Sequence, residues 1–264
     1  WEKTISKINI TNPAFAVVTG DITDSKSNPS QIALYKAGEA QLKPSIPIYR
    51  LPGNHDIDDA PTPGSYAIWQ TNFSSSGTSN PWFSFSDANS NTLFICLDSM
   101  VLKNPSGNPD ANTAQWNWLT TTLQNSGEYT HKMVFMHTPL CLVSTTEADG
   151  TNNMPTATGV RQRLLSLFHT YGVNAVFSGH AHNNAVVVDG DLQIVTTSSC
   201  LCSLGSPTCQ GFRIVKIYPD HIEHYYVCFG EIPTLPCDFN GDGICDEKDL
   251  DMFVDHWLDN GMWP

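Results

Sequence analysis

Ala14-Phe15-Ala16-Val17-Val18-Thr19-Gly20-Asp21-Ile22-Thr23-Asp24 is an apolar run that stops abruptly at glycine and acid. The run has the length and composition of a buried strand, and Gly20-Asp21 places a carboxylate on the loop that ends it. The same construction recurs along the chain. Ile46-Pro47-Ile48-Tyr49-Arg50-Leu51 runs into Pro52-Gly53-Asn54-His55-Asp56. Lys132-Met133-Val134-Phe135-Met136 delivers His137-Thr138-Pro139, and Val173 to Ser178 delivers Gly179-His180-Ala181-His182. Oxygen and imidazole donors thus gather at strand ends. Asp, Asn and His around one point are the ligand set of a hydrolytic metal centre.

Helical segments separate these strands. The sequence predicts helices over 1–9, 31–42, 113–124 with Asn112 as cap, and 160–171 with Gly172 as the stop. A third strand is expected at 92–97, and β-strands at 185–188, 192–196, 212–218 and 222–227. The polar stretch 58–91 reads as loops near the site. Strands alternating with helices, then a β-rich end, predict a layered α/β fold.

The motif order GDxxD, GNHD, HxP, GHxH resembles the calcineurin-like metallophosphoesterase family over about residues 20–230. The resemblance implies a four-layer αββα sandwich, two β-sheets flanked by helices, holding two divalent transition metals (Zn, Mn or Fe). It implies that Asp21 bridges the ions, that Asn54, His137 and His180 complete one site, and that His182 enters the other. His55 resembles the non-ligand histidine at the leaving group, and Asp56 the acid that orients it. Asp24 falls where the family has a polar residue; purple acid phosphatases carry a tyrosine there, which argues against that branch. The implied reaction is hydrolysis of a phosphomonoester or phosphodiester by a metal-bound hydroxide. The family's Asp-x-His motif is not found before Asp21. It is therefore expected upstream of Trp1, and until placed it leaves the second metal site incomplete. The competing reading is a non-catalytic structural or adhesive protein that keeps the fold.

The 264 residues are 40% hydrophobic, enough for one sizeable core with a small appendage. Thirteen basic and 26 acidic residues give a net charge of −13, which argues against nucleic acid and against anionic membranes as partners. No stretch is apolar enough to span a membrane. Eight cysteines in a chain only 15% charged favour disulfides and an extracytoplasmic, oxidising compartment. Buried free thiols are the plainer alternative.

Arg161 and Arg163 read as solvated helix charges rather than phosphate ligands. His131, His169, His221, His224 and His256 match no motif and read as structural or surface residues. Trp82, Phe83 and Phe85 fit either a cleft lining or core packing.

Downstream of a Pro-containing linker at 231–236, residues 237–264 form a separate module. Asp238, Asn240, Asp242, Asp246 and Asp249 occupy positions 1, 3, 5, 9 and 12 of an EF-hand-like loop. The carbonyl of Ile244 takes position 7, and Gly243 permits the turn. Aspartate at position 12 and the aromatic helix that follows resemble a dockerin repeat. That implies bound Ca²⁺ and a cohesin-like or cell-surface partner; Cys237 and Cys245 are placed to staple the loop. The plainer reading is a stabilising calcium loop with no partner.

Overall fold

The computed structural model describes residues 1–74, 80–200 and 209–229. The expected linker and calcium module, 231–264, with Asp238, Asn240, Asp242, Ile244, Asp246 and Asp249, lie outside the described residues. So does the Cys237–Cys245 staple.

The chain opens with α1 (Glu2–Thr11), β1 (Ala16–Val18), α2 (Pro29–Glu39) and β2 (Ile48–Arg50). β1 and β2 pair in parallel, with α2 as their crossover. Asn28 starts α2 by accepting the Ser30 and Gln31 amides, and Pro29 fits the first turn, where no amide is needed. Two further helices follow, α3 (Asn54–Ile57) and α4 (Pro63–Phe73), then the antiparallel pair β3 (Phe83–Asp87) and β4 (Thr92–Cys96). Next come α5 (Ser99–Lys103), α6 (Pro109–Gln124), β5 (His131–Phe135), α7 (Val160–Tyr171) and β6 (Ala175–Ser178). The described part ends with β7 (Ala185–Asp189), β8 (Leu192–Thr196), β9 (Gly211–Ile217) and β10 (Ile222–Cys228).

A six-stranded sheet, ordered β3-β4-β5-β6-β8-β7, forms the centre. Its inner strands β4, β5, β6 and β8 are mutually parallel. β4, β5 and β6 are buried along their whole length, as parallel strands covered on both faces must be. One face packs through Ile95, Val134, Met136, Val176 and Ile194 onto α6 and α7, which contribute Leu119, Leu123, Leu164 and Phe168. The other face packs onto the two small sheets, β1-β2 and the antiparallel β9-β10. α2 and α4 contribute Tyr35, Tyr66, Trp69 and Phe73 to a third cluster, which Val18 of β1 joins. The expected αββα layering is present, although its second β layer is two short pairs rather than one continuous sheet.

Aromatic rings fill the space between the β layers. Tyr49 stacks on Phe85 at 3.8 Å between centroids, Phe85 on Phe94 at 4.9 Å, and Phe94 reaches Phe135 at 6.3 Å. Phe135 stacks on Phe177 at 5.6 Å, and Phe177 meets His224 edge-on. Phe83, Phe85 and Trp82 therefore belong to packing, not to a cleft.

Three expectations are corrected. The stretch 58–91 holds α4 and β3, because Tyr66, Trp69 and Phe73 recur at helical spacing among polar residues. Asn108 caps α6, one turn before the expected Asn112, whose amide instead donates to the Val101 carbonyl. Arg161 is wholly buried rather than solvated, and its Nε and Nη1 donate to the carbonyls of Met154 and Glu147. Val160–Tyr171 with its Gly172 cap in left-handed conformation matches expectation. A disulfide joins Cys209 to Cys228 across the β9-β10 ends, while Cys96 and Cys141 are buried free thiols. Among the described residues, no helix is long and apolar enough to cross a membrane.

Phe94 is 1% exposed and sits mid-row. Phe94→Ala should lower unfolding free energy by about 3–5 kcal/mol in urea titration. A loss below about 1 kcal/mol would show that the two β layers do not depend on this row.

Candidate metal centre

The functional side chains arise where β1, β2, β5 and β6 end. Gly20 has φ +101°, and Asp21 follows at φ +54°. A Cβ on Gly20 would lie 2.6 Å from both the Gly53 nitrogen and His137 Nδ1, so the backbones of the first two motif loops are in contact there.

Asp56 ties these loops together. Its carboxylate accepts the amides of Gly53 (2.9 Å), Ile22 (3.1 Å) and Thr23 (3.1 Å), and the Thr23 hydroxyl (3.3 Å). Burial pushes its carboxyl up to about 6 against the pull of these donors. The Asp56 carboxylate, expected to orient His55, spends its hydrogen bonds on Gly53, Ile22 and Thr23. It is the next side chain along, on a one-turn helix, and points into the protein while His55 points out. Asp24 lies beside His55: its carbonyl accepts from His55 Nδ1 at 3.1 Å, and its carboxylate lies 3.8 Å away. Gln31 fixes this turn by accepting the Asp24 and Ser25 amides.

Asp21, Asn54, His137 and His180 meet at one point. His137 Nε2 lies 3.1 Å from His180 Nδ1, 3.2 Å from Asn54 Oδ1 and 3.3 Å from an Asp21 oxygen. One ligand atom each from Asp21, His137 and His180 fits within 4.8 Å of the others. The opposite ring nitrogens are occupied: His137 Nδ1 donates to the Thr19 carbonyl at 2.8 Å and His180 Nε2 to the Thr151 carbonyl at 3.2 Å. In these tautomers, lone pairs on both facing nitrogens, an amide oxygen and a carboxylate converge with no proton between them. Such a set repels itself unless a cation stands at the centre, so the donors fit a divalent ion.

Protonation preferences agree. Burial would raise the Asp21 carboxyl, but hydrogen bonding and charge from His137 outweigh it and hold it low. Burial would lower His137, but hydrogen bonding and charge from Asp21 raise it. Burial and the neighbouring His137 pull His180 down to about 4, and burial lowers His182, keeping both imidazoles neutral as ligands require. His182, two residues further along the same loop, lies outside the compact cluster. Among the described residues, no second group of three His, Cys, Asp or Glu ligands surrounds it.

Several contributors carried no sequence signal. The Thr19 and Thr151 carbonyls are backbone atoms, which any residue supplies. Lys103 Nζ donates to the same Thr151 carbonyl at 2.6 Å. The segment bearing Thr151 is prefolded: Glu147 accepts the amides of Leu142, Val143 and Ser144, and Asp149 those of Thr156 and Ala157.

Strand-end carboxylate, amide and imidazoles around a cation position, on a two-layer β sandwich, define a metal-dependent hydrolase. The sequence profile of the calcineurin-like phosphoesterases matches residues 1–184, and the chain belongs to that family. It is 33% identical over 220 residues to serine/threonine-protein phosphatase CPPED1 of Danio rerio, covering 81% of this chain and 68% of that protein. The Bos taurus protein of the same name is 31% identical over 239 residues, covering 88% and 73%. A dimetal phosphatase structure from Danio rerio shares the fold, with TM-score 0.64, 15% identity and coverage of 85% of this chain and 84% of that one. The chain is thus a metallophosphoesterase.

Asp56→Ala should cost about 2–4 kcal/mol, because several buried amides lose their acceptor, and should also reduce bound metal. Asp24→Asn should leave both intact. Calorimetry with elemental analysis reads the two effects. Wild-type stability and metal content in Asp56→Ala would show that Asp56 does not anchor the loops.

Proposed function

We propose that this chain hydrolyses phosphomonoesters, with phosphoserine and phosphothreonine side chains as the substrate class, using two divalent transition ions (Zn, Mn or Fe). The single observation that carries the reading is the convergence of Asp21, Asn54, His137 and His180 with both outer ring nitrogens already committed. That the CPPED1 relatives are serine/threonine-protein phosphatases supports the substrate class.

Divalent ions in this cradle would activate water and neutralise phosphoryl oxygens. Asp21, with one oxygen holding the His55 amide at 3.1 Å and the other near His137, spans from the cluster to the leaving-group side. His55 commits Nδ1 to Asp24 and so presents Nε2 to the cleft. A proton held at Nε2 passes to the departing serine or threonine oxygen, and the Asp24 carboxylate stabilises the imidazolium that carries it. The cleft also solves a charge problem: a chain of net charge −13 repels a phosphate dianion unless cations are held where it binds.

His55→Ala should lower kcat by about 10²–10⁴-fold on p-nitrophenyl phosphate and on a phosphoserine peptide. Metal content should stay unchanged. Asn54→Ala should lose metal and activity together. Equal loss of metal in both variants would remove the leaving-group role. Faster hydrolysis of bis-p-nitrophenyl phosphate than of either monoester would replace the phosphomonoester reading with a phosphodiester one.

Two finer parts of the reading concern setting. The Cys209–Cys228 disulfide supports an extracytoplasmic location. The spacing of Asp238, Asn240, Asp242, Asp246 and Asp249 supports Ca²⁺ binding and a cohesin-like partner. Titrating Ca²⁺ into the transition-metal-loaded chain should give a binding heat that Asp238→Ala abolishes. No heat in the parent chain would remove the calcium reading.

A further inference from the structure

His180 and His182 both have left-handed backbone, at φ +63° and +50°. Side-chain-bearing residues keep that conformation only where their surroundings hold them in it. For His180 the holding contacts belong to the metal cluster already described. For His182 they lead away from it. The His182 carbonyl accepts from the Ser198 hydroxyl at 3.0 Å. The Ser198 amide donates to Asn184 Oδ1 at 3.2 Å, and the same oxygen accepts Nη2 of Arg213 at 3.1 Å. Arg213 also donates from Nε to Thr197 Oγ1 at 3.0 Å and from Nη1 to His224 Nδ1 at 2.9 Å. His224 in turn donates from Nε2 to Gln193 Oε1 at 3.0 Å, and the Tyr226 ring lies under the guanidinium.

We propose that Arg213 is a positioning residue for His182. It sits on β9, in the small sheet, and reaches across to the loop that joins β6 to β7 in the large sheet. Its planar fork joins Asn184, at the base of the GHxH loop, to Thr197, just past the end of β8. Ser198 then passes that restraint to the His182 backbone. A guanidinium suits this place because it offers several donors in fixed directions, which an ammonium does not. Nε, Nη1 and Nη2 each already donate to protein acceptors, which separates this arginine from one kept for substrate phosphate. The proposal rests on His182 being a ligand of the site described above.

The first readout is hydrogen exchange of the metal-free full chain. Arg213→Gln should speed exchange of the Ala181 to Asn184 amides by about tenfold or more, with β4, β5 and β6 unchanged. Asn184→Ala should do the same, and the double variant should add little, because both cut one chain of contacts. Arg213→Lys should recover part of the protection. The second readout is Co²⁺ titration. Arg213→Gln should weaken the ion that contacts His182 by about 10–100-fold and leave the ion at Asp21, Asn54, His137 and His180 unaffected. Unchanged exchange at 181–184 would overturn the proposal, as would a uniform rise across both sheets. A parent chain that holds one Co²⁺ would count against the two-ion reading, while loop exchange would still decide this one.

Discussion

The buried carboxylate of Asp56 is the constraint on which the rest of the site depends. Two loops from adjacent parallel strands must approach until their backbones touch, and glycine at 20 and 53 removes the side chains that would prevent it. Close approach leaves the amides of Ile22, Thr23 and Gly53 facing inward, away from water. One acceptor satisfies all of them. Burying a lone carboxylate costs several kcal/mol, and each hydrogen bond to a charged acceptor returns about 1.5–3 kcal/mol. The raised carboxyl of Asp56 reflects burial that outweighs these donors. With the loops so fixed, Asp21 takes its left-handed conformation, Asn54 opens a helical turn, and His55 is aimed at Asp24.

The donor atoms are set by a second rank of groups that never touch the ion. Thr19 and Thr151 carbonyls choose which nitrogen of His137 and His180 faces inward. The choice at His180 depends on a segment far away in sequence. That segment is stiffened by the capping carboxylates of Glu147 and Asp149 and by the buried guanidinium of Arg161. A wrong tautomer at either histidine would put an N–H where the cation belongs. Precision at the centre is therefore achieved by local turns that look unrelated to chemistry.

This explains what was legible in the sequence. Asp21, Asn54, His137 and His180 were readable because each follows an apolar run, and strand ends are where a parallel sheet presents side chains. α7 and β8 were readable to the residue because their patterns are regular and Gly172 marks a stop. Sequence adjacency favours Asp56 as the partner of His55, whereas successive side chains of a helical turn diverge by about 100°, so Asp56 reaches the loop amides and His55 reaches Asp24. Arg161 was misread because a helical arginine is usually solvated, and nothing local shows that a loop will fold over it. α4 was hidden by serine, glycine and asparagine around its three aromatic anchors. Backbone carbonyls as tautomer selectors leave no trace in residue identity.

The centre also joins the two β layers. Asp21 and Asn54 come from the ends of the small parallel pair, and His137 and His180 from the ends of the large sheet. Their mutual distances are therefore set by inter-sheet packing. Phe135 lies two residues before His137 and Phe177 three before His180, and these rings stack in the row that separates the layers. A shift of that row moves the imidazoles relative to the carboxylate by a similar amount. Conversely, an ion bound across the layers favours the packed state over any in which they separate, by a free energy that grows with its concentration relative to Kd. Core packing and metal binding are thus two descriptions of one alignment, and the aromatic row belongs to the site as much as to the core.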